Sequence, residues 1–215
     1  MKQRVTSWFD ILSSMMLSVL FVVCSLGCSG ESDIDIVPGG IDFRPGDIVL
    51  RRGSGIASRV VMVADGSGAY SHIGIVAFSG GKAVVVHAVP GEPDYKGDED
   101  RVKKETIGRF FSSINAEAGR VLRCRDSVVA LHASQVALGK FKAHTLFDHE
   151  YDVYDTTRMY CSELVCYAYR KAGLELVEGG RHVVNLPGLK LDHVVFPSDF
   201  LRSRHLVTVA AFAKH

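Results

Sequence analysis

The stretch YCSELVCYAYRKAG, residues 160–173, sets Cys161 and Cys166 five positions apart in the first turns of an amphipathic helical pattern. A cysteine attacks a carbonyl carbon only as its thiolate, and a helix N-terminus favours that form through its unpaired N–H groups and macrodipole. Cys161 opens the predicted helix. Cys166 lies about a turn and a half further in, between Val165 and Tyr167, where a buried packing role is expected. A nucleophilic thiol also needs a base. His72 and His87 fall in YSHIGIVAF and KAVVVHAVPG, two β-rich runs separated by SGG, which is a hairpin signal. If the strand register puts both histidines on one face, one imidazole can take the thiol proton while the other orients it. A histidine in a strand is otherwise an ordinary hydrogen-bonded core or surface residue, and the sequence leaves the register open.

The elements around these residues follow from local pattern. GDIVLRR predicts a short strand, GIASRVVMVADG a helix stopping at Asp65-Gly66, TIGRFFSSI a short helix and GRVLRCR a strand. SVVALHASQVALGKFKA predicts a longer helix ending near Gly139. The helix from Cys161 is expected to stop at Gly173. FPSDFLRS suggests one to two helical turns behind a proline, and HLVTVAAF a closing strand. The charged run GEPDYKGDEDRVKK, residues 91–104, is expected as a solvated loop that could also touch a ligand. Helices and strands alternate without a βαβ repeat, and there is no glycine-rich phosphate loop. An α+β domain with an antiparallel sheet or small barrel packed with helices is therefore expected, not a doubly wound nucleotide binder.

The chain has 215 residues, with 25 Lys+Arg against 24 Asp+Glu, so nothing in its charge suggests a nucleic-acid partner. Part of its 47% hydrophobic content sits in the run from Ile11 to Gly27 behind the basic MKQR, a secretory-signal pattern. That run ends in SLGCSG, which resembles a bacterial lipobox with Cys28 as the lipid-attachment site. Ser25 stands where that motif has leucine, and Asp10 sits ahead of the apolar run. An ordinary cleaved signal and an uncleaved anchor are the other readings, and all three export the domain. The expected organisation is a signal over residues 1–27, a lipidated and flexible tether over 28–40, and one domain over 41–215. Beyond Cys24 and Cys28, three cysteines remain, Cys124, Cys161 and Cys166, so at least one is unpaired if they are exported. No CxxC or HxxxH pair supports a structural zinc site.

Taken together and in this order, GDIVL, YSHIGIV, VVHAVPG and YCSELVCYAYRKAG resemble the YiiX/YaeF-like branch of the NlpC-type, papain-like cysteine hydrolases. In that branch the fold is circularly permuted, so the histidine precedes the cysteine. The resemblance covers residues 42–205 and implies Cys161 as nucleophile, His72 as base and His87 at the third, polar position. Relatives carry a glutamate at that third position. A neutral histidine can accept the same hydrogen bond but lacks the charge that stabilises an imidazolium. Tyr160 corresponds to an aromatic residue bordering the family's site. The backbone N–H of Cys161 is a natural oxyanion donor, and Glu163 could cap the amide of Tyr160.

The expected activity is hydrolysis of an amide or acyl bond through a thioacyl-enzyme, without a cofactor. The substrate would be a cell-wall peptide or a lipid-derived acyl group of the bacterial envelope, with the enzyme held at the membrane by its N-terminal lipid. A non-catalytic acyl-binding module on the same fold, an acyltransferase, and a zinc site formed by Cys161, His72 and His87 are the alternatives. The remaining histidines, His132, His144, His149, His182, His193, His205 and His215, lie outside the matched motifs.

Overall fold

The computed structural model describes residues 34–214 apart from 67, 153, 180, 181, 187 and 188. The signal, the lipobox with Cys28, most of the tether and His215 therefore lie outside the described residues. The chain runs β1 (Ile48–Arg52), α1 (Ile56–Asp65), β2 (His72–Ser79), β3 (Lys82–Val89), β4 (Arg101–Thr106), α2 (Ile107–Phe110) and β5 (Ala118–Cys124). It continues through α3 (Ser127–Lys142), α4 (Cys161–Lys171), β6 (His182–Leu186), β7 (Leu189–Val194), a 3-10 turn (Pro197–Arg202) and β8 (Leu206–Ala213). Six strands form one antiparallel sheet in the order β4-β3-β2-β1-β5-β8, open at both ends among the described residues, and β6 and β7 form a separate hairpin. No helix among the described residues is long and apolar enough to cross a membrane.

Strand alternation sorts the sheet into two apolar faces. Ile48 and Leu50 of β1, Ile73 and Ile75 of β2 and Val84 and Val86 of β3 join the larger core with Leu164, Val165 and Tyr169 of α4 and Ala133 and Ala137 of α3. Val49, Val76 and Val85 point the other way, onto Phe110, Phe111 and Val121. Because both faces are covered, these strands read as nearly continuous apolar runs. The β2–β3 turn uses Gly80 and Gly81 at φ 59° and 76°, the left-handed pair a two-residue hairpin with the native twist requires.

Three expectations need correction. Residues 101–104 are not loop but the first part of β4, which pairs with β3 from Val89↔Arg101 to Val84↔Thr106. Their charges concealed the strand. Arg101 and Lys103 are buried because Asp98 takes Arg101 Nε at 3.0 Å and Lys103 Nζ at 2.9 Å. Helix α3 does not stop at Gly139 but runs on to Lys142, since that glycine is exposed and adopts helical backbone at a cost of only about 1 kcal/mol. Part of the stretch expected as tether is docked. Ile36 N–H bonds to Phe111 O at 3.1 Å, Ser113 N–H to Ile34 O at 2.9 Å, and Ile36 and Val37 pack on the second core. The β6–β7 hairpin arises from residues to which the sequence reading assigns no element.

Candidate active site

Helix α4 begins at Cys161 because its entry is fixed on both sides. Tyr160 is extended at φ −87°, ψ 174°, and its N–H donates to Glu163 Oε2 at 3.4 Å, the cap anticipated from sequence. The Tyr160 hydroxyl accepts the Val195 N–H at 3.0 Å, tying the helix start to the end of β7. At the far end, Gly173 at φ 93° closes a Schellman motif, with Leu174 N–H on Tyr169 O and Gly173 N–H on Arg170 O, both at 3.0 Å. Tyr169 donates its hydroxyl to Gly46 O at 2.5 Å, so the two segments GDIVL and YCSELVCYAYRKAG are joined directly.

The register left open by the sequence brings the histidines together. His72 Nε2 lies 2.8 Å from His87 Nδ1, with the rings edge to face at 5.1 Å. Gly74 makes this approach possible. A Cβ there would sit 2.5 Å from Val85 Cγ1 and 3.2 Å from His87 Cβ, inside contact distance. Phe110 closes the pair from below, its ring 5.7 Å from His72 and 5.3 Å from His87.

Behind His87 stands a carboxylate that the sequence reading missed. Glu105 Oε1, on β4, lies 3.1 Å from His87 Nε2 in a bent contact, and each of these buried atoms has the other as its polar neighbour. Arg51, directly opposite His72 in the β1–β2 register, sits 3.9 Å from the same oxygen. Its guanidinium also donates to Phe110 O at 3.0 Å and pairs with Glu92. His87 keeps the third position, and a carboxylate, Glu105, stands one strand further out. The only local hint was the alternation of RVKKET, hidden by its charges at the end of a turn-rich run.

This chain dictates protons. A carboxylate only accepts, so His87 Nε2–H faces Glu105; in the tautomer that leaves His87 Nδ1 as acceptor, His72 donates from Nε2. His72 is left with its lone pair on Nδ1. Burial, then the charge of Arg51, then His87 hold the His72 pKa well below the ordinary 6.5, so the ring is neutral at physiological pH. Burial pushes Glu105 up, but the His87 N–H, Arg51 and Arg109 together outweigh it and hold the carboxyl below its ordinary 4.5.

Cys161 is half-buried, and Cys124 and Cys166 are buried and free. Burial raises the Cys161 thiol above its ordinary 9.0, although the Ser162 hydroxyl and the backbone N–H groups of Ser162, Ile73 and Cys161 pull the other way. The N–H groups at the helix start favour the thiolate, and burial opposes them. Burial drives Cys166 further, up to about 12, in keeping with a packing role.

Cys161, His72, Tyr160, Tyr151 and Arg51 line one cavity of about 340 Å³. Tyr151 was also missed; it holds a left-handed φ of 56°, a strained backbone for an aromatic residue, and stacks its ring 5.3 Å from that of Tyr160. Of the histidines outside the motifs, His182 pairs with Asp199 and His149 with Asp100, and neither lines the cavity of Cys161.

An open antiparallel sheet among the described residues, with a cysteine-headed helix packed against a two-histidine hairpin, defines an α+β domain. It is similar in fold to the crystal structure of metalloprotein yiiX from Escherichia coli O157:H7, DUF1105. The two share 21% identity at a TM-score of 0.62, over 78% of this chain and 96% of that one. No protein-family model matches the chain, and no curated protein does.

Proposed function

We propose that the protein is a cysteine hydrolase with a permuted papain-like fold that cleaves an amide or acyl bond of a cell-wall peptide or lipid-derived substrate. The observation that carries this reading is the cavity shared by Cys161 and His72, with the chain His72–His87–Glu105 behind it. In the ground state thiol and imidazole are both neutral, so His72 Nδ1 takes the proton as the sulfur attacks, instead of meeting a preformed thiolate. The imidazolium that forms is stabilised through His87 by Glu105. The oxyanion meets the backbone N–H groups at the start of α4, which need no reorganisation. His72 then returns the proton to the leaving group, and water resolves the thioacyl-enzyme.

The yiiX structure is described as a metalloprotein. The residues here do not fit a comparable site. Among the described residues no three His, Cys, Asp or Glu side chains converge on a point, and the imidazole nitrogens of His72 and His87 face each other. No step is routed through a metal.

Export and membrane tethering rest on residues 1–28, and Cys28→Ala is expected to abolish incorporation of labelled fatty acid; persistent labelling would remove the lipobox assignment. The activity is tested by mass spectrometry of the chain after exposure to envelope extract. An acyl adduct on Cys161, lost in Cys161→Ala, is expected. A non-covalent acyl-binding module is the second reading, favoured by the burial that raises the thiol; a ligand retained without any adduct would support it instead.

A further inference from the structure

We propose that an exposed apolar row on the domain, from Ile34 through Ile114 to the outer face of α1, docks on a phospholipid bilayer. The inference rests on the membrane tethering proposed above and concerns which face of the domain meets lipid. Ile34, Ile114, Ile56, Val60 and Val63 are each between 47% and 83% exposed. The segments that carry them are joined. Ser113 N–H donates to Ile34 O at 2.9 Å, next to Ile114, and the Ser54 hydroxyl, two residues ahead of α1, donates to Ile114 O at 3.2 Å. Ile56, Val60 and Val63 then follow one another along one face of α1, at the i, i+4, i+7 spacing. A single exposed isoleucine is ordinary on a protein surface, whereas a contiguous apolar row marks an interaction site.

Where the chain leaves the domain identifies the occupant. Ile34 is itself in the row, and its segment is held by the bond from Ser113 and by that of Ile36 N–H to Phe111 O. Cys28 stands six residues ahead of Ile34, so a lipid on Cys28 begins within about 22 Å of Ile34 even if the chain is fully extended. An uncleaved apolar run ending at Gly27 sets nearly the same limit. The row is therefore kept beside a bilayer, where each apolar side chain that enters the interface leaves water. The charge of α1 agrees. Its first turn carries no acidic residue, and exposed Arg59 flanks the row, where its stem can lie on lipid while the guanidinium reaches a headgroup phosphate.

The test uses the full-length chain reconstituted in vesicles of phosphatidylglycerol with dibrominated phosphatidylcholine, since bromine quenches an indole only on contact. Trp8, the single tryptophan, is first removed by Trp8→Phe. Ile56→Trp then reports from the row, and Phe78→Trp from an exposed position on β2, six residues past His72 and about 20 Å from the end of β1 that leads to α1. Emission of Ile56→Trp is expected to fall about twofold or more against unbrominated vesicles, as for a side chain at the headgroup–acyl boundary, while that of Phe78→Trp is unchanged. Val60→Asp with Ile114→Asp, both at exposed positions, should restore the emission. Equal emission of Ile56→Trp in the two kinds of vesicle, from a chain that still sediments with them, would overturn the docking face and leave the tether intact. So would a blue shift without quenching, which would place a second copy of the chain on the row. Failure of the full-length chain to sediment with vesicles would overturn the tethering reading itself.

Discussion

His72 Nε2 and His87 Nδ1 lie 2.8 Å apart, and that single contact fixes which nitrogen of His72 can act. With Nε2 donating to His87, the lone pair sits on Nδ1. The histidine pair is therefore a relay that ends on Glu105, 3.1 Å beyond. His87→Glu would set two carboxylates against each other across β3 and β4, so it should lose hydrolytic activity; unchanged activity would remove Glu105 from the relay.

Glu105→Gln is expected to lower kcat on the order of 10²-fold with little change in KM, since it removes the charge that stabilises the imidazolium. The sign of the pH effect is fixed. Without the carboxylate, protonated His72 is less favourable, so the acid limb of kcat should move to still lower pH. A merely structural role would lower expression or Tm without moving the limb, and that result would exclude Glu105 from the relay.

The neutral ground state predicts a broad pH plateau. His72 titrates well below the ordinary 6.5 and Cys161 above 9.0, so kcat/KM should stay flat between these limits and fall only well below pH 6.5, where His72 gains a proton. Iodoacetamide should label Cys161 slowly at pH 6, and labelling with a thiolate midpoint below pH 7 would show that an ion pair preexists. Stability follows the same linkage. The unfolded chain binds the proton near pH 6.5 while folded His72 does not, so His72 contributes its full share above 6.5. That share is lost as the pH falls toward the folded pKa.

Gly74→Ala should cost roughly 1–3 kcal/mol, because the new methyl overpacks Val85 Cγ1 at 2.5 Å and presses on His87 Cβ. Chemical denaturation measures the cost. Val85→Ala in the same chain is expected to restore part of the stability; an additive loss in the double variant would mean that the clash lies elsewhere.

Much of the fold was legible locally. The alternation in YSHIGIVAF and KAVVVHAVPG, the Gly-Gly turn and Gly173 are short-range features that specify their own elements. So was the contrast between Cys161 and Cys166, which needs only their positions along one helix. The charged strand β4 was not legible, because Arg101 and Lys103 enter a sheet only when Asp98, brought back by the preceding turn, neutralises them.

The sequence by itself determined the strands and helices other than β4, β6 and β7, the helix that Cys161 opens and the candidacy of His72 and His87. Those properties depend on neighbours within a few positions. Tertiary structure alone decided the histidine register, the presence of Glu105 behind it and the protonation state of the thiol. Each of these depends on groups tens of residues apart and on how much water the packed chain excludes, and no local pattern records either.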